Sequence, residues 1–401
     1  MKKLRYLNDL IGKYKFLYIG GILCIIIVDC LQLALPKVLG LITDDLKSGV
    51  LTQSGLLRFS MIVAGIAVGI AVFRFLWRYL VFGVSKIIET VLRNSFYSHL
   101  QRLSVNYYNN HKTGDLMAHA TNDINNIRMA LGQGVALAID SALIPVVAAI
   151  MMFNTAGAKL TLVCFIPLLV LGGVITFNVN FMHDRIQKMQ EAFSELTETA
   201  RENFSGIRVV KSFVQENKEI EKFKKANVYN REMNMKFVRN MSLLFPMIMS
   251  VSSLSFALAL LYGGSLVIGG ELTLGSFVAF NSYLMMLIWP IAALGWITSI
   301  FQRGIVSLER VNTIMDEKPE IEDSSDTADK KGIDGKVVFN NLTFAYPDTD
   351  KPVLKNINIT VEPGKTLAVV GRTGSAKTTL INLISRQFNV ENGTLLLDGV
   401  D

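Results

Sequence analysis

Six apolar stretches of about 20 residues constrain this chain most, each the length that crosses a hydrocarbon core of roughly 30 Å. They run over 16–35, 56–82, 135–153, 160–179, 243–268 and 277–300. Of the 401 residues 51% are hydrophobic and only 18% charged. Soluble domains carry roughly 25% charged residues, so the apolar excess belongs in lipid. The first stretch holds Asp29, yet its Leu, Ile, Val and Phe residues contribute about 4–7 kcal/mol against a cost of about 2.5–3.5 for a central Asp, so it still inserts. Cys24, Cys30 and Cys164 all fall inside apolar runs, which leaves neither a disulfide framework nor a thiolate metal site. The basic start "MKKLRYLNDLIGKYK" precedes an apolar run without a small-residue cleavage site, which reads as a first span and not a removed leader. The formal charge of +7 comes without a long basic cluster, so a nucleic-acid partner is not expected.

Basic residues are retained on the cytoplasmic side of a membrane. Lys2, Lys3, Arg5, Lys13 and Lys15 precede the first stretch, whereas "NTAGAK" and "GGELTLGS", between stretches three and four and five and six, carry almost no positive charge. Both termini and the long loops 83–134 and 180–242 are therefore expected in the cytoplasm. The loops keep apolar residues at spacings of three and four, the mark of helices that prolong the spans. Turnover is expected at 109–114 and near 205–206.

From 315 to 336 the chain turns polar and acidic, with Ser and Pro and no apolar periodicity, as a linker does. Short β-type runs follow: "KVVFNNLTFAYP", "VLKNINITV" and "TLAVVG". The last opens "TLAVVGRTGSAKTTLINLISRQF", which reads as a buried strand, a Gly-rich turn and a helix, the context of a phosphate-binding loop. Gly371 and Gly374 permit the turn, with Arg372, Thr373 and Ser375 between and after them. The helix N-terminus adds partial positive charge toward a triphosphate. Lys377 would reach the phosphates, Thr378 would set its hydroxyl on Mg2+, and Thr379 continues the segment. Ala376 stands where the motif has a second Gly. Its position just before the helix suggests an already helical φ, where a methyl costs little.

Six spans with long extensions, "YYNNHKTGDLMAHATNDINNIR", "ENFSGIRVVKSFVQE", the linker, "VLKNINITVEPGKTLAVVGRTGSAKTTL" and "GTLLLDGVD" together resemble the exporter class of ATP-binding cassette (ABC) transporters, bacterial multidrug and lipid half-transporters above all. The resemblance implies a membrane all-α fold of six transmembrane helices with long cytoplasmic extensions, followed by the N-terminal part of an α/β P-loop nucleotide-binding domain. It divides the chain into a six-span domain (1–314), a linker (315–336) and an ATP-binding fragment (337–401). It further implies ATP and Mg2+ as cofactors, with Tyr346 stacking on adenine and 371–379 as the Walker A segment. The turns near 112–116 and 205–207 match coupling helices. His119 stands where many relatives carry Arg. The family's glutamine loop, LSGGQ signature, Walker B carboxylates and switch histidine do not occur in these residues. No catalytic residue is therefore assigned, and ATP hydrolysis by this chain alone is not expected.

The implied function is ATP-driven export of an amphiphilic drug or lipid by a half-transporter that pairs with a second ABC half-transporter, identical or related, in a bacterial inner membrane. The alternative is a non-enzymatic regulatory or decoy subunit pairing with a full-length half-transporter. Within the first span, Tyr18, Gly21, Asp29, Gln32 and Pro36 share one helical stripe, as expected of a face turned from lipid. Asp29 and Gln32 are the candidate cavity residues, with Asp29 holding cationic cargo. Asp140 and Arg74 are expected to pair.

Overall fold

The computed structural model describes residues 12–321, 332–347, 349 and 351–401. The described chain forms two compact units: 12–85 with Met129–Gln302, and Lys86–Arg128 with 303–401.

The first unit is helical because an apolar segment in lipid satisfies its backbone only by bonding within itself. Its helices are Lys15–Lys47, Gln53–Trp77, Val135–Ser205, Ile207–Ser212, Glu216–Leu258 and Leu274–Met315, the last running on into the second unit. Thr52 caps the second, its Oγ1 accepting from the Gly55 N–H at 3.2 Å. Their core joins Leu33 to Met152, Leu160, Cys164, Phe280, Tyr283 and Leu287, and the Tyr283 hydroxyl donates to the Leu33 carbonyl at 3.1 Å. Where the Lys15–Lys47 and Leu274–Met315 helices meet, glycine is required. A Cβ on Gly275 would lie 1.9 Å from the Gly40 oxygen. Asp44 accepts there from the Gly275 N–H and the Thr273 hydroxyl, each at 2.7 Å.

Among the described residues five helical stretches are long and apolar enough to cross a membrane: Lys15–Lys47, Gln53–Leu100, Thr113–Pro167, Glu216–Ile268 and Leu274–Met315. Six were expected. The third and fourth expected spans lie on either side of Gly157 (φ 80°, ψ 171°), the non-helical residue inside "NTAGAK" that separates two helical segments within 135–205. Half the side chains of 160–179 lie outside the described residues.

The expected prolongations are present. From the Gly157 break to Ser205 the helix is about 72 Å long and Glu216–Leu258 about 65 Å, at 1.5 Å per residue, both far beyond a bilayer core. The first long loop turns over through the short helices Val105–Asn110 and Thr113–Ala118, the second through Ile207–Ser212.

In the second unit, β1 (Val337–Phe344), β2 (Leu354–Val361) and β3 (Leu395–Leu397) form an antiparallel sheet in the order β2-β1-β3. Phe339, Leu342 and Phe344 of β1 bury against Leu354, Leu380, Leu383 and Phe388. The expected buried strand "TLAVVG" does not form: 366–371 pairs with no strand, and Val370 is 89% exposed. A strand takes its hydrogen bonds from neighbours, and a run apolar on both faces belongs inside a covered parallel sheet. Among the described residues no strand flanks it.

Candidate functional site

The phosphate-loop candidates lie together at the start of the Lys377–Ile384 helix. A Cβ on Gly371 would meet the Ser375 Oγ at 2.6 Å, so glycine here lets the bend close without displacing that hydroxyl. Gly374 is left-handed at φ 87°. The chain bends back on itself between them, the Ser375 N–H donating to the Arg372 carbonyl at 3.2 Å. Lys377 folds over this bend, its Nζ donating to the carbonyls of Gly371 (2.8 Å) and Arg372 (2.7 Å) and to the Ser375 Oγ (3.2 Å). The ammonium is thus held at the centre of the loop by neutral oxygens alone. A phosphate oxygen would be a stronger partner there, because it adds the attraction of opposite charges to the hydrogen bond. Thr373 and Thr378 are exposed, and the Thr378 hydroxyl has no hydrogen-bond partner among the described residues, which suits a magnesium ligand.

Ala376 overturns its expectation. Its backbone is left-handed (φ 59°, ψ 22°), not helical, because this residue turns the loop into the helix, where its carbonyl accepts from the Leu380 N–H at 3.2 Å. A non-glycine residue in that conformation costs roughly 1–2 kcal/mol. Its methyl packs against the β1 cluster.

Tyr346 is half-buried and its hydroxyl lies 2.8 Å from the Thr379 Oγ1, behind the loop. Its ring meets Phe344 and Phe388 edge to face, at 5.3 and 5.2 Å between centroids. These contacts fix the ring's position beside the helix that carries Lys377.

Two constellations in the same unit escaped the sequence reading. Glu320, in the linker, accepts from the Ser104 hydroxyl and the Asn106 amide, each at 2.9 Å, while its own carbonyl accepts from the Asn389 amide at 2.7 Å. Asn389 follows Phe388, so Glu320 ties the first long loop to the segment behind the phosphate loop. Asp123 is buried and held by Arg310, by the Ser307 hydroxyl (2.8 Å) and by His119 Nδ1 (2.6 Å). His119 therefore does make a polar contact with an acid. Burial opposes ionisation of Asp123, but the hydrogen bonds from Arg310, His119 and Ser307 outweigh it and hold the carboxyl at about 2. No local pattern predicts contacts across 184 and 187 residues.

In the membrane unit, Asp29 is 2% exposed and its Oδ2 has no hydrogen-bond partner among the described residues. Gly21 and Pro36 of its stripe are buried, Tyr18 and Gln32 half-buried, while Phe16, Ile19 and Leu23 face outward. The stripe thus faces the chain's interior. The expected Asp140–Arg74 ion pair is not formed within 4 Å among the described residues, and Arg74 is exposed.

Residues 18–291 match the family described as the ABC transporter transmembrane region, and 354–401 match the family described as ABC transporter. The chain is 33% identical to a "Probable multidrug resistance ABC transporter ATP-binding/permease protein" (YheI) of Bacillus subtilis, over 96% of this chain and 66% of the relative. It is 34% identical to the "Multidrug resistance-like ATP-binding protein" MdlA of Escherichia coli, over 94% and 64%. It is 31% identical to an "ATP-dependent lipid A-core flippase" of Idiomarina loihiensis, over 100% and 68%. The chain thus spans about two thirds of the length of these relatives. With membrane-length helices, a glycine-and-lysine loop at a helix start and a matched region covering most of its residues, it is a multi-pass membrane protein belonging to the ABC transporter family.

Proposed function

We propose that this chain is the membrane and phosphate-binding part of an ATP-driven exporter that moves an amphiphilic drug or lipid across the bacterial inner membrane, both termini cytoplasmic. The observation that carries the reading is Lys377 gathered over the loop 371–375 at the start of a helix. ATP would draw that ammonium from the loop carbonyls to its phosphates, and Mg2+ would sit on Thr378 beside them. Tyr346 would border the adenine. Bound Mg2+ supplies charge neutralisation of the phosphates; the residues of this chain hold and orient them. The domain limits 1–314, 315–336 and 337–401 follow from the same reading, which is supported by the multidrug and lipid A-core names of the relatives.

The transporter works as a pair of half-transporters, identical or related. Asp29, with Gln32 one turn away, would hold cationic cargo on the inward stripe of the first helix, because a carboxylate inside a membrane is retained where it has a partner to meet.

Fluorescent ATP-analogue binding to the chain in lipid nanodiscs tests the reading directly. Wild type should bind with magnesium, and Lys377→Ala should weaken binding at least about tenfold; equal binding by both would sink the assignment. Joined to the remaining third found in its relatives, Asp29→Asn should reduce export of cationic substrates and spare neutral ones. Equal loss for both would reassign Asp29 to structure. Cross-linking in membranes that finds only monomer would reject the pair.

A further inference from the structure

Just before the fifth apolar stretch begins at Leu243, the Glu216–Leu258 helix carries Lys236, Arg239 and Asn240. With Leu243 they fall at spacings of three and four, on one face. The structure sets this face beside Arg185 of the Val135–Ser205 helix, around a cleft of about 740 Å³ whose remaining lining includes Met235 and Val238. Three cations therefore meet one opening, and among the described residues no acidic side chain lines it. Asp184, the acid next in sequence, is taken by Lys188 at 3.0 Å. Among the described residues neither Lys236 nor Arg239 enters an ion pair. The Asn240 Nδ2 is shielded from solvent and lacks a hydrogen-bond partner among the described residues.

Among the described residues Lys236 and Arg239 therefore face this cleft without a counter-anion. Like charges gathered in a cleft repel, and a shielded amide donor left unpaired costs roughly 1–3 kcal/mol. The missing group must accept several hydrogen bonds, carry negative charge and tolerate the apolar Met235, Val238 and Leu243 beside it. Depth narrows the choice further. Counting 1.5 Å per residue from Leu243, Arg239 lies about 6 Å and Lys236 about 10 Å outside the apolar stretch. The headgroup layer of a bilayer occupies roughly 5–8 Å beyond the hydrocarbon on each side. Arg239 thus sits at lipid-phosphate level, the long Lys236 side chain can reach back to it, and Leu243 marks where the acyl chains begin.

We infer that this cleft binds the phosphate headgroup of an anionic phospholipid such as phosphatidylglycerol or cardiolipin. Basic clefts between membrane helices suit such headgroups, each Lys or Arg near the surface adding to the attraction. The site goes beyond the proposed transport function and needs neither nucleotide nor cargo.

The test uses the whole chain reconstituted in phosphatidylcholine mixed with phosphatidylglycerol or cardiolipin, with native mass spectrometry reading the lipid it retains. Wild type should retain the anionic lipid in preference to phosphatidylcholine. Lys236→Ala with Arg239→Ala should weaken that retention about 10- to 30-fold, as expected for two lost surface charges. Lys236→Arg with Arg239→Lys should restore it, and Arg185→Ala alone should weaken it by less; these two chains decide the matter if the double-alanine chain does not fold. Retention without lipid preference, or unchanged in the double-alanine chain, would overturn the inference. A free-phosphate site is the other source of the same chemistry. Inorganic phosphate that displaces the lipid at millimolar concentration would assign the cleft to the free ion and overturn the lipid reading.

Discussion

The Leu274–Met315 helix and the run 366–371 start from the same signal, a predominantly apolar run, and end differently. The first is a helix whose Phe280, Tyr283 and Leu287 are buried. The second leaves Leu367, Val369 and Val370 exposed and joins no sheet. A helix closes its hydrogen bonds within four residues and asks only lipid or a core for its side chains. A strand asks for two neighbours and two covered faces. The membrane region therefore carries its structure locally, while the nucleotide region depends on partners distant in sequence.

Hydrogen exchange offers the largest effect by which to break that contrast. Amides of 366–371 should exchange at least about a thousandfold faster than those of 279–287, since local opening costs almost nothing where no ladder exists. Comparable protection in both would mean that the run is paired in solution.

Mutation sharpens it next. Leu342 is fully buried between the sheet and the Lys377–Ile384 helix. Leu342→Ala should cost about 2–5 kcal/mol and expose 337–401 to protease while leaving the membrane helices intact. Equal loss in both regions would show that the two fold as one cooperative body.

Acid makes a smaller difference. The Asp123 carboxyl, outside the apolar stretch 135–153, is held at about 2, below the ordinary carboxylate value near 3.9. A depressed value in the folded state means stabilisation that is complete above about pH 4 and lost as pH falls through about 2. Asp123→Asn should therefore lower the melting temperature at neutral pH, by about 1–2 kcal/mol of stability, with the two curves converging toward pH 2. Parallel curves over that range would remove the acid from the network.

The smallest expected effect is a gain. Ala376→Gly relieves a left-handed alanine and should stabilise the nucleotide region by about 1 kcal/mol, read as higher protease resistance of 337–401. A loss would show that the alanine methyl, packed on the β1 cluster, outweighs the backbone strain.

How much was legible in advance follows the same division. The membrane helices, their long prolongations, β1 and β2 and the glycine-lysine loop could all be read from residues within one turn or one strand of each other. The exact backbone of the turns could not: at Gly157, between the third and fourth expected spans, the chain leaves the helix with φ 80°. Nor could the conformation of Ala376, since a residue before a helix can be either a first turn or a cap. The inward stripe of the first helix was legible as a pattern, and the burial of Asp29 within it is a fact of packing.

By itself, then, the sequence determined that this chain crosses a membrane repeatedly, continues in helices beyond it and ends in a phosphate-loop segment. Periodicity and glycine placement act over a few residues and survive whatever surrounds them. Only the tertiary structure decided that Asp123 meets Arg310, that Glu320 is clasped by Ser104 and Asn106, and that Arg185 joins Lys236 and Arg239 around one cleft. Charges attract according to distance in space, and folding alone brings together residues that lie from about 50 to more than 200 positions apart.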